Sequence, residues 1–218
     1  MAHVNLSCAL ANGRLICKQS YNHKMPKTPA PLVELDELLA AEFDYIAQTA
    51  TQANEDRARV SSFYLIAVGS LVAALFSTQL FDADKFTETV KIMFGGLFVL
   101  LTLLGTSTIM QLARLRSAWH ESMLAMNQIK DFAISQNPEL KVAFRWKTNT
   151  LPAKNKTGSV SYYQAVEVAL IGGLMFAAAT FFLQQAFWPI GVFNWIVSTI
   201  AGMLAITIQL ILYKRALT

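Results

Sequence analysis

An all-α protein that crosses a bilayer four times is what the charge pattern of this 218-residue chain predicts. Residues 168–213, 46 in all, contain no Asp, Glu, Lys, Arg or His, a stretch no soluble domain keeps away from water. Residues 60–81 and 92–113 are two more charge-free stretches of 22 residues, each long enough to span once. Composition agrees, with 54% hydrophobic residues, 15% charged ones and a mean hydropathy of +0.39. The architecture expected is a polytopic bundle of four transmembrane helices, the first two extended into a cytoplasmic helical hairpin.

Residues 1–31 read as a mobile cytoplasmic tail. Their apolar residues are broken by Asn5, Ser7, Asn12 and Arg14, so no signal-peptide core forms, and Pro26, Pro29 and Pro31 follow. Cys8 and Cys17 lie in this segment without companions at metal-binding spacing, and a reducing compartment disfavours a disulfide between them. The sequons at Asn5 and Asn155 fall on the same side and are expected to stay bare.

From residue 32 the period becomes helical. Leu32, Leu35, Leu39, Phe43, Ile46, Ala50 and Ala53 recur at steps of three and four, and no Pro or Gly intervenes before the first span. A cytoplasmic helix over 32–59 therefore runs into a span over 60–81. The second span, 92–113, continues likewise into a cytoplasmic helix over 114–137, with Leu115, Trp119, Met123, Met126 and Ile129 on its apolar stripe, until Asn137-Pro138 stops it. Two such extensions bury their stripes against each other or against a neighbouring subunit, so Leu35, Leu39, Phe43, Ile46, Leu115, Trp119 and Met123 form the expected assembly seam.

Residues 138–162 form a basic connection. Within it Leu140, Val142, Phe144 and Trp146 alternate with Lys141, Ala143, Arg145 and Lys147, a period that fits either a short strand or an irregular piece at headgroup level. The second reading is preferred, with Lys141, Phe144, Arg145, Trp146 and Lys147 meeting anionic lipid at about 1 kcal/mol per cation. The long charge-free run must then fold back, since 46 helical residues would extend ~69 Å against a ~30 Å hydrocarbon core. Gln184, Gln185, Trp188, Pro189 and Gly191 supply the turn, giving spans over 165–183 and 190–213.

Basic residues set the orientation. Sixteen Lys and Arg lie in the tail and first extension, in the 114–162 connection and at Lys214 and Arg215, against only Lys85 and Lys91 in the two short loops. By the positive-inside rule both termini face the cytoplasm and the protein sits in the plasma (inner) membrane. The net charge of +4 is thus a topology signal and gives no support to nucleic-acid binding.

Inside the membrane, small residues at packing distance (Gly69 and Ala73; Ala169, Gly173 and Ala177; Ser198 and Gly202) mark close helix crossings. Thr102 and Thr106 share a face of the second span, as Asn194 and Ser198 do on the fourth. Either set can line a pore in an oligomer or bond helix to helix. Glu167 falls in the first turns of the third span, where pairing with Lys214 or Arg215 is expected.

Catalytic signatures are missing: there is no GxSxG, no Gly-rich phosphate loop and no HExxH, and His3, His23 and His120 are far apart. No enzyme activity, cofactor or metal is expected. The layout is similar to that of small bacterial membrane effectors that oligomerise into pores in antiviral signalling, a likeness of architecture that rests on no motif. The function expected is that of a homo-oligomeric, pore-type or signalling effector in an anionic bilayer, assembled or regulated through its cytoplasmic helices. The alternative is a membrane scaffold that anchors a cytosolic protein without transport.

Overall fold

A computed structural model describes residues 5–11, 14–20, 35–77, 87–189 and 191–218. Near the N-terminus, where the sequence reads as a tail, strands β1 (Asn5–Ala11) and β2 (Arg14–Ser20) pair antiparallel, with Asn5 opposite Ser20 and Ala11 opposite Arg14. Apart from these two strands, the expected tail over 1–31 and the start of the first extension lie outside the described residues.

The rest is helical: α1 (Leu35–Ser77), α2 (Glu88–Gln136), α3 (Val160–Phe187) and α4 (Val192–Leu217). All four are long and apolar enough to cross a bilayer, the architecture of a multi-pass membrane protein. With 43 and 49 residues, α1 and α2 are ~65 and ~74 Å long at 1.5 Å per residue, far more than a single crossing needs. The ends of the expected spans at residues 78–81 and at Ile190 fall outside the described residues.

Local chemistry sets the helix ends. α1 opens with Asp36 and Glu37 in its first turn, where carboxylates complement the positive end of the helix dipole. α2 stops at Asn137, whose extended backbone (φ −135°, ψ 97°) is what the following proline imposes. The Asn137 side chain then accepts from the Glu139 amide at 3.2 Å and starts a short 3-10 turn, Pro138–Lys141. α3 follows Gly158, the one described glycine with positive φ (83°), and is capped by Ser159, whose hydroxyl accepts from the Tyr162 amide at 3.3 Å. Lys214 and Arg215 occupy the last turn of α4, where cations are favoured.

Successive helices run antiparallel, as paired contacts along α1–α2, α2–α3 and α3–α4 require, and α3 packs against both α2 and α4. Phe98 and Phe182 stack at 5.6 Å across the α2–α3 contact. Between α3 and α4 the backbones nearly touch: a Cβ on Gly202 would lie 2.9 Å from the Gly173 carbonyl oxygen. The small residues singled out in these two spans are thus the crossing point. α1 joins through side chains, with Tyr64 and Val68 in the common core and the Tyr64 ring filling the space that a Cβ on Gly105 would need.

The connection after α2 departs from expectation. No strand forms over 140–147; the 3-10 turn gives way to irregular chain and then to a second short turn, Thr148–Thr150. Side chains of α2 hold it by its backbone: Asn127 Nδ2 donates to the Lys147 carbonyl at 3.3 Å, Asp131 accepts from the Thr148 amide at 3.3 Å, and His120 Nε2 lies 3.1 Å from the Pro152 carbonyl. Along this chain Lys141, Arg145 and Trp146 are exposed, and Phe144 and Lys147 are half-buried.

Candidate functional site

Three polar layers cross the helical body, and the intramembrane residues selected from the sequence fall in two of them. In the middle layer the Thr102 hydroxyl donates to its own helix at Phe98 O (2.9 Å) and lies 3.4 Å from Gly172 O on α3. The Thr106 hydroxyl donates to Thr102 O at 2.9 Å and accepts from Gln209 Nε2 of α4 at 3.0 Å. Gln209 seats against Gly172, where a Cβ would come within 2.8 Å of its amide. These groups therefore tie α2, α3 and α4 together. They border a groove of about 330 Å³ whose other walls include Leu204 and Ile208, both exposed, and Gln209 Oε1 is buried without a hydrogen-bond partner among the described residues.

The second layer lies at the opposite end from the basic connection. Asn194 and Ser198 are buried on α4, and Gln184 Nε2 of α3 donates to the Ser198 hydroxyl at 3.3 Å. Asn194 Nδ2 is buried without a hydrogen-bond partner among the described residues, and Asn194 lines a cavity of about 600 Å³ with Thr180, Gln184, Trp188 and Phe193. Ser198 thus bonds helix to helix, whereas Asn194 does not.

At the basic end, the Ser161 and Tyr213 hydroxyls lie 3.2 Å apart and both side chains are buried. Arg116 donates from Nε to the Lys154 carbonyl at 3.4 Å, and its guanidinium stacks 4.6 Å from the Trp119 ring centre. Burial lowers the pKa of Arg57 and of Arg116, and the charge of Arg116 lowers that of Arg57 further. Nearby Tyr213 opposes both shifts.

The pairing expected of Glu167 does not form: among the described residues it makes no ion pair, and it is exposed. Helical geometry explains this, because α3 buries Ser161, Ala165, Val168 and Ala169 and leaves Glu167 on the outer face with Tyr163 and Leu170. Lys214 and Arg215 instead border a cavity with Asn155 and Thr157.

The expected assembly seam is half covered. Leu35 is exposed, Leu39, Phe43 and Ile46 are half-buried, and so are Leu115, Trp119 and Met123. Deeper burial goes to Ala50, Ala53 and Ser61 on α1 and to Arg116, Ser122, Met126 and Asn127 on α2. The sequence reading missed Gln184, Ser161 and Tyr213 as bonding partners; their signal was only that polar atoms inside apolar helices need partners. Among the described residues no cluster of His, Cys, Asp and Glu could hold a metal ion. No protein-family model matches the chain, and no curated protein or solved structure matches it.

Proposed function

We propose that the chain is a non-enzymatic, multi-pass protein of the plasma (inner) membrane that acts as a homo-oligomer, assembled or regulated through cytoplasmic extensions of α1 and α2. The observation that carries this reading is continuity: α1 and α2 each pass from an apolar stretch into a polar-faced extension without a break. A shift or rotation imposed on such an extension reaches the bilayer as a rigid-body motion. The extensions also keep an apolar stripe from Leu35 through Phe43 incompletely covered by their own chain, a surface for a second copy or a cytosolic protein. Both termini are assigned to the cytoplasm from the sixteen-to-two distribution of basic residues. Reporters fused after Ile134 and after Thr218 are expected to report cytoplasm and one inserted near Ala83 the outside; a C-terminus on the outer side would sink the orientation.

The mass of the detergent-extracted particle tests assembly. Phe43→Asp is expected to lower the oligomer to smaller species while leaving membrane insertion intact, because it puts an unpaired charge into the stripe and touches no span. An unchanged particle mass would remove the extensions from assembly. A second reading, a scaffold that passes nothing across the bilayer, draws on the middle polar layer, where the Thr102 and Thr106 hydroxyls are used up in bonds within the chain. Ion flux in liposomes separates the two.

A further inference from the structure

Two like charges are buried together where α1 crosses α2. Arg116 is only 7% exposed and Arg57 is half-buried, its Nε shut off from solvent without a hydrogen-bond partner among the described residues. Their register is fixed from a distance: Lys130 Nζ sits 5.6 Å from the centre of the Phe43 ring. In an antiparallel pair, fourteen residues forward from Phe43 to Arg57 match fourteen residues back from Lys130 to Arg116. Further along the same crossing, Tyr64 lies against Gly105.

Among the described residues no carboxylate pairs with either arginine, and Glu121, five residues past Arg116, is engaged by Lys154 at 3.4 Å. Arg116 has one hydrogen bond, from Nε to the Lys154 carbonyl, which leaves its terminal nitrogens without one among the described residues. Burying a single cation without a counter-charge is costly, and placing a second beside it raises that cost. The arrangement calls for an anion.

Depth and shape narrow the class. Arg57 comes three residues before the charge-free stretch 60–81 and Arg116 three residues after 92–113, so each backbone stands ~4.5 Å outside the apolar stretch, within the ~5–7 Å headgroup layer. Two planar guanidinium forks match the tetrahedral oxygens of phosphate better than they match a single carboxylate. We propose that Arg57 and Arg116 form a binding site for a phosphate-bearing anion, supplied by the headgroup of an acidic phospholipid or by a soluble phosphate compound. Lys214 and Arg215, beside a cavity of about 270 Å³ at the same end of the bundle, add positive potential to the approach.

The full-length protein in neutral detergent tests this without any variant. Its unfolding temperature is followed while phosphatidylglycerol is titrated against zwitterionic phosphatidylcholine, and separately while inorganic phosphate is titrated against chloride at matched ionic strength. A rise of several degrees with phosphatidylglycerol alone assigns the site to lipid, and a rise with inorganic phosphate assigns it to a soluble ligand. Arg57→Gln and Arg116→Gln are each expected to weaken the responsible ligand at least tenfold, and Arg116→Lys, which keeps the charge but loses the fork, to give an intermediate loss. Wild-type protein that responds to neither ligand overturns the proposal. A response undiminished in both glutamine variants does the same.

Discussion

The α3–α4 contact and the α1–α2 contact hold helices together by different means. At the first, Gly173 and Gly202 remove the side chains that would keep two backbones apart, and Ala177 completes the crossing. At the second, the helices meet through long side chains: Tyr64 against Gly105, Lys130 over Phe43, and two arginines that form no ion pair among the described residues. In lipid there is no hydrophobic drive between helices, so association depends on packing and on bonds between polar groups. Close backbone approach has one solution, whereas a seam of long side chains can repack. The rigid part of the molecule is therefore α2–α4, and α1 with its extension is the part suited to answer a partner or ligand.

The largest test breaks the rigid contact. Gly202→Leu drives a side chain into the Gly173 carbonyl and the Ala177 methyl, and overpacking of this kind costs about 3 kcal/mol at a site where the obstacle is backbone. Loss of the helical body's fold in detergent, read by unfolding temperature and protease resistance, is the expected outcome. Wild-type stability would mean that α3 and α4 are free to separate, and the contrast between the two contacts would disappear.

A smaller effect is expected at the looser contact. Tyr64→Ala empties the space beside Gly105 and costs about 2 kcal/mol, less than in a water-soluble core because lipid and neighbouring side chains can fill the void. Tyr64→Phe sharpens the point. Among the described residues the buried Tyr64 hydroxyl has no hydrogen-bond partner, so its removal is expected to leave stability unchanged or raised. If Tyr64→Phe destabilises as much as Tyr64→Ala, the hydroxyl has a partner in the membrane and α1 is held by more than packing.

Legibility in the sequence followed the same division. The spans could be read because charge is excluded from them, and the turn between α3 and α4 because Pro189 and Gly191 interrupt an aliphatic run. Gly173 and Gly202 were visible as small residues, though nothing in their spacing said that they meet each other. The path of the basic connection was hidden for a plain reason: α2 grips it by the carbonyls of Lys147, Pro152 and Lys154, and every residue has a carbonyl. Its alternating apolar residues suggested a membrane surface, while the groups that place it are backbone atoms without a sequence signature. Arg57 and Arg116 enter the sequence pattern as basic residues flanking two charge-free stretches. That they are buried opposite each other depends on the helical register, which composition does not carry.

The smallest effect divides the two functional readings. Replacing both Thr102 and Thr106 by Val removes the bond from Thr102 to Gly172 O and leaves Gln209 Nε2 without its acceptor, at about 0.6 kcal/mol for each interhelical bond. A drop of that size in stability, with any ion flux unchanged, is expected if the hydroxyls only bind α2 to α3 and α4. If copies of the chain also bring the groove beside Gln209 together around a water-filled path, the same two methyl groups dry its lining, and flux falls along with that loss of stability. The groove faces outward past Leu204 and Ile208, so a pore built there needs neighbouring copies to close it. Flux from wild-type protein that falls in step with oligomer mass in Phe43→Asp and is abolished in Thr102→Val/Thr106→Val would join the looser contact to conduction. No flux from wild type in any lipid mixture leaves the extensions of α1 and α2 as a platform for a cytosolic protein.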